Sequence, residues 1–170
     1  MMSLLPAHGR AFGHGLLWIA IVAMMIATME RPAAAEPVVP SRPEMITEKA
    51  ETAIEKGLSY LGRTQGRDGS WRSGTRYGIY PCTMTSLAGL GLMAGGNTPV
   101  EGKYAANVRR AVDYVLSCAQ PSGVISRMEE QRPMYGHGFS MLFLAEAYGM
   151  EQDATRQARI ERVLEKAVAL

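Results

Sequence analysis

The sequence predicts an all-α protein built from stacked helical hairpins, and three observations carry that prediction. Cys82–Gly95 and Gly138–Gly149 are helix-length runs with Glu146 as their single charge, the pattern of helices buried on every side. Amphipathic segments with apolar residues at steps of three and four alternate with them. The pattern also returns after 54 residues: Tyr60 and Tyr114, Lys56 and Arg110, Gly69 and Gly123, Ser86 and Ser140, Gly95 and Gly149 all keep that offset. A hairpin with one buried helix cannot cover that helix alone, so several must stack.

The chain has 170 residues, 47% of them hydrophobic and 20% charged, with a net charge of +2. That is enough for one domain, and the charge argues against a nucleic-acid partner. Residues 1–35 read as a signal peptide: Arg10, an uncharged run from Leu16 to Met29, and the small-residue site Ala33-Ala34-Ala35. The run is shorter than the ~20 residues a spanning helix needs. An exported protein is expected, periplasmic, extracellular or held at a membrane through an uncleaved leader. Cleavage after Ala35 leaves His137 as the single histidine and Trp71 as the single tryptophan, which excludes a site built from two histidines within this chain.

Residues 36–43 carry three prolines and read as an extended linker. From Glu44 the repeat domain runs to Leu170. Its first helix is an outer one, with Ile46, Ala50, Ala53, Ile54, Gly57 and Leu61 as its stripe. Thr64–Tyr80 is rich in turn formers. Pro81 suits the first turn of the buried helix that follows, and Gly95-Gly96-Asn97-Thr98-Pro99 stops it. Tyr104–Ala119 is the second outer helix, on a stripe of Val108, Ala111, Val112 and Val115. A loop extends to about Gly136, a second buried helix spans Gly138–Gly149, and Thr155–Leu170 begins a third outer helix. Lys166-Ala167 answers Lys56-Gly57 and Arg110-Ala111, so the last visible copy stops before its aromatic, glutamine and tryptophan positions. That reads as a piece of a longer array, whose remaining repeats would cover the open face.

Lys56, Gly57, Tyr60, Leu61, Gln65, Gly69 and Trp71 resemble the QW motif of squalene and oxidosqualene cyclases: a basic residue, a small one, an aromatic–aliphatic pair, glutamine, then Gly-x-Trp. The second copy keeps Arg110, Ala111, Tyr114, Val115, Gln120 and Gly123 but has Ile125 in place of tryptophan, and its glutamine slips by one position. More closely, the chain is similar to exported bacterial proteins with prenyltransferase and squalene oxidase repeats, a likeness that includes Met134–Glu146. The resemblance implies an α/α toroid, of which about two and a half hairpins are present. It also implies a structural motif, in which Gln65 caps an outer helix and the Trp71 indole stacks on it.

The chemistry of those families is not matched. Squalene cyclases use an Asp-x-Asp-Asp acid, whereas Asp68, Asp113 and Asp153 are isolated. Prenyltransferase β subunits bind zinc through Asp-x-Cys and a histidine; Cys82 and His137 stand near the starts of the buried helices without that aspartate, and two ligands are too few for zinc. No metal and no cofactor are expected. The candidates for a ligand-facing role are His137 and Tyr135 at the start of a buried helix, Cys82, and Glu146, which either lines the cavity or pairs with Arg109 or Arg110. Tyr77 and Tyr80 are candidates for the cavity mouth. Cys82 and Cys118 are a candidate disulfide, allowed in an exported protein.

Two functions fit. One is a non-catalytic exported toroid that binds a protein, glycan or lipid through its cavity or surface. The other is a terpene cyclase- or prenyltransferase-like enzyme, an isomerase or transferase, with its catalytic residues beyond Leu170. The leader makes the first checkable expectation: protein recovered from outside the cytoplasm starts at Glu36 by N-terminal sequencing, and a retained residue 1 or 2 would contradict it.

Overall fold

The computed structural model describes residues 46–72, 79–128 and 130–170; the segments expected as leader and linker, and Tyr77, lie outside them. The described chain is all-α. It forms α1 (Glu48–Thr64), α2 (Pro81–Ala94), α3 (Ala105–Ser117), α4 (Pro133–Met150) and α5 (Ala154–Val168). Among the described residues there is no strand, and Ala119 and Ile125 make one isolated antiparallel bridge.

Because α2 and α4 lack a charged side, each needs neighbours on more than one face, and they pack most extensively on each other. Phe143 of α4 lies against Gly89 of α2. The hydroxyls of Ser86 and Ser140, 54 residues apart, meet at 3.1 Å, so matching positions of two repeats face one another. Helix α3 packs on both, and its expected stripe, Val108, Ala111, Val112 and Val115, is fully buried. Burying one valine is worth about 1.5–3 kcal/mol, which outweighs the few tenths of a kcal/mol that each β-branched residue costs in helix propensity. Helix α5 packs on α4 and buries Ile160 and Ala167.

The turns after α1 and α3 make the same backbone bonds at an offset of 54 residues. Gly66 N–H donates to Ser70 O and Gly69 N–H to Gly66 O; 54 residues on, Gln120 N–H donates to Val124 O and Gly123 N–H to Gln120 O. Gly69 and Gly123 have φ of +88° and +96°. A β-carbon on Gly69 would strike the Arg110 carbonyl of the next outer helix, and one on Gly123 would strike the Lys166 carbonyl of the outer helix after that. Each turn therefore packs against the basic motif position of the following copy.

Two expectations need correction. Helix α4 starts at Pro133, not Gly138. Gly136 looks like a breaker in the sequence, but its missing side chain makes room for the Glu130 carboxylate, which a β-carbon there would strike. The α1 stripe is also displaced. Ala53, Ile54 and Gly57 are exposed, and no α1 residue is fully buried. Of that stripe Ile46, Ala50 and Leu61 are half-buried, and Leu61 with Leu58, which the stripe omitted, lies against Gly91 and Gly95 of the α2 end.

These geometries predict opposite outcomes for two glycines of one motif. Gly69→Ala is expected to destabilise by about 1–2 kcal/mol or more, from its positive φ and the collision. Gly57 has open space around it in mid-helix, so Gly57→Ala is expected to stabilise by about 0.5–1 kcal/mol. Urea unfolding of both variants checks the pair, and equal effects of the same sign would contradict it.

Candidate functional site

A helix leaves its last carbonyls without intrahelical donors. At the end of α1 the Trp71 indole N–H donates to Leu61 O at 3.1 Å, and Asn107 Nδ2 donates to Gly62 O at 3.1 Å. Gln65 stands at the expected C-cap position, but its side chain bonds elsewhere. Its Nε2 donates to Gly69 O and to Asn107 O, each at 2.9 Å, and its Oε1 accepts from Asn107 Nδ2 at 2.8 Å and Arg110 Nη2 at 2.6 Å. Its amide thus makes all the bonds it can. Trp71 and Asn107 cap α1, while Gln65 ties the turn to α3. The basic residue of the second copy serves the glutamine of the first. Lys56 and Tyr60, at the start of the motif, are exposed, whereas Tyr114 is buried.

The second joint is looser. Gln120 occupies the place of Gly66, so its Nε2 turns back to Ser126 O at 3.0 Å. Ala119 stands where Gln65 would, and an open hollow of about 600 Å³ lies between Leu116–Gly123 and Arg159, Arg162 and Lys166 of α5. The one-residue slip in the sequence has this packing consequence. A larger open hollow of about 950 Å³ lies along α1, edged by Lys56, Tyr60, Arg63 and Lys103. It is away from the starts of α2 and α4.

Those two starts converge on Glu130, which sequence reasoning missed. Its side chain is buried, and Oε1 accepts from the Cys82 N–H at 2.8 Å and the Thr83 N–H at 3.4 Å, while Oε2 accepts from Ser126 Oγ at 2.8 Å. A carboxylate at the positive end of a helix is well placed electrostatically. It comes from the next repeat, 48 residues downstream, and no local pattern announces it.

Two of the candidate residues, His137 and Cys82, take roles other than those expected, and Glu146 takes one of its two alternatives, lining a hollow. His137 is buried within α4, and its Nδ1 accepts from the Ile125 N–H at 3.2 Å. In the first repeat Thr85 Oγ1 does the same for the Trp71 N–H at 3.0 Å. His137 therefore carries its proton on Nε2 and holds a turn. Cys82 is wholly buried beside Cys118 and faces no ligand space. Glu146 makes no ion pair with Arg109 or Arg110 among the described residues; Arg109 Nη1 donates to Pro99 O at 2.7 Å, and Arg110 serves Gln65. Tyr135 is exposed, and with Tyr80, Thr83 and Arg132 it frames a hollow of about 250 Å³.

What stays open is apolar surface on both buried-type helices, around two hollows; Leu87 lies with Tyr60, Leu61 and Trp71 around one of about 330 Å³. Leu87 of α2 and Leu142 of α4 are 42% and 50% exposed. Leu142, Glu146 and Met150 with Leu90, Met93 and Ala94 line a hollow of about 280 Å³ between the two helices. No group of three His, Cys, Asp or Glu side chains able to hold a metal occurs among the described residues.

Two outcomes follow. Glu130→Ala leaves buried donors unpaired and is expected to cost about 1.5–3 kcal/mol. Glu130→Gln keeps one acceptor for the amides and a donor for the Ser126 hydroxyl, and should cost less. Urea midpoints decide, and an unchanged Ala variant would contradict the assignment. Partial burial pushes the Asp68 carboxyl up, but bonds from the Ser70 hydroxyl and N–H and from Arg72 hold it below the usual carboxylate range. Its stabilisation is therefore present above about pH 4 and lost as pH falls below that. Asp68→Asn should lower the urea midpoint slightly at pH 7 and leave it unchanged near pH 2; a constant difference would contradict the sign.

No family model matches the chain, and no solved structure matches it.

Proposed function

We propose that the chain is an exported repeat protein of the α/α-toroid type that binds a lipid chain or similar apolar ligand without chemically changing it. The observation that carries this reading is the open apolar surface of α2 and α4, with Leu87 and Leu142 unburied in helices that otherwise have no polar side. Exposed apolar surface between packed helices is where ligands and partners dock.

The fate of the three aspartates and Glu130 supports binding over catalysis. Asp68 is held by Ser70 and Arg72, Asp113 pairs with Arg156 at 3.2 Å, and Asp153 caps α5 by accepting from the Arg156 N–H at 2.9 Å. Glu130 is committed to α2 and Ser126. A general acid has to reach the substrate proton, and these groups are spent on the fold.

Titration of the full chain with a fluorescent medium-chain fatty acid tests the reading. Saturable binding is expected, weakened about tenfold or more by Leu87→Asp with Leu142→Asp, since each buried leucine contact is worth more than 1.4 kcal/mol. Both positions are open, so helicity should be unchanged, and the recovered ligand should be chemically intact. Absent saturation, or equal affinity in the variant, would contradict the proposal.

A further inference from the structure

Cys82 is the second residue of α2 and Cys118 the residue that ends α3. Both are free thiols, 0% and 2% exposed, and each is the other's side-chain hydrogen-bond partner. A chain of bonds fixes the two backbones relative to each other. Cys82 N–H donates to Glu130 Oε1 at 2.8 Å, Ser126 Oγ donates to Glu130 Oε2 at 2.8 Å, and Ser126 N–H donates to Cys118 O at 3.1 Å. Cys118 Sγ meanwhile donates to Tyr114 O at 3.3 Å, on the last turn of α3. The Arg127 guanidinium sits over the Tyr114 ring, 5.5 Å from its centroid.

The two thiols are not equivalent. The Cys82 thiol beside it, and then Arg127, hold Cys118 below the usual thiol range against the effect of burial. Cys118 and burial push Cys82 above that range. Only a thiolate attacks a disulfide, and Cys118 is the thiol of the pair that gives up its proton more readily.

We propose that Cys82 and Cys118 are an intramolecular disulfide site, closed by exchange with an external disulfide and joining the start of α2 to the end of α3. Cys118 gives its proton to solvent, and the thiolate so formed attacks one sulfur of R–S–S–R, forms Cys118–S–S–R and releases RS⁻. Cys82 gives its proton to solvent, attacks the Cys118 sulfur and releases the second RS⁻. Two protein thiols are oxidised and one external disulfide is reduced to two thiols. The bond closes the segment of chain between residues 82 and 118, a length for which a disulfide restricts the unfolded state appreciably. This inference stands apart from the proposed ligand and does not depend on it.

The test is refolding of the full chain from denaturant in glutathione buffers of increasing oxidation, so that burial does not limit access. Expected is a species lighter by two hydrogens, a peptide map linking Cys82 to Cys118, and a Tm higher by roughly 10 °C than the reduced form. Cys82→Ser should instead give a glutathione adduct or a free thiol at Cys118. Two free thiols in fully oxidised buffer, glutathione on both cysteines, or a linked form that melts below the reduced one would overturn the proposal. The Cys82→Ala, Cys118→Ala double variant, which removes both sulfurs, should lose the dependence of Tm on redox buffer; a dependence that persists would also overturn it.

Discussion

Helix ends enclosed between hairpins must have their orphan backbone groups answered, and in this molecule side chains from the neighbouring hairpin answer many of them. Asn107 of α3 caps the end of α1, and Glu130 caps the start of α2 from the loop before α4. Asn97 takes the carbonyl of Leu92 with Nδ2 at 2.9 Å and the N–H of Tyr104 with Oδ1 at 2.9 Å, closing α2 and opening α3 with one side chain. An unmet buried backbone group costs about 1–3 kcal/mol, a large share of a domain's net stability. The caps therefore decide the order of packing as much as the apolar contacts do.

This constraint also separates scaffold from surface. Residues with chemical potential, His137, Cys82, Glu130 and the three described aspartates, are drawn into caps, turns and ion pairs. The open surface of α2 and α4 is left with leucines, methionines, alanines and one carboxylate. A surface of that composition suits binding of apolar matter, and the same caps hold it rigid.

Much of the helical layout was legible in the sequence. Runs with Glu146 as their single charge marked α2 and α4, the valine stripe marked α3, and the 54-residue offset picked out Ser86 and Ser140, whose hydroxyls meet. The joints were less legible. Gln65 and Trp71 stood out by motif, but Asn107, 42 residues from Gln65, and Glu130, 48 from Cys82, act across repeats and leave no local signal. Gly136 misled because a glycine that admits a neighbour's carboxylate looks the same in sequence as one that ends a helix. The candidate site was legible mainly as its place, the starts and inner faces of the buried helices, since burial turned Cys82 and His137 inward and left Tyr135 and Glu146 outside.

Native-state hydrogen exchange tests the dependence on cross-hairpin caps most directly. First-turn amides of a helix ordinarily exchange fast because they have no intrahelical acceptor. Here the first-turn amide of Cys82 is bonded across repeats to Glu130, while the loop amides of Trp71 and Ile125 are bonded within their own repeats to Thr85 and His137. All three should be protected to the level of the middle of α2, exchanging only when the whole domain unfolds. Exchange at Cys82 as fast as at an uncapped helix start, with the middle of α2 still protected, would contradict the account.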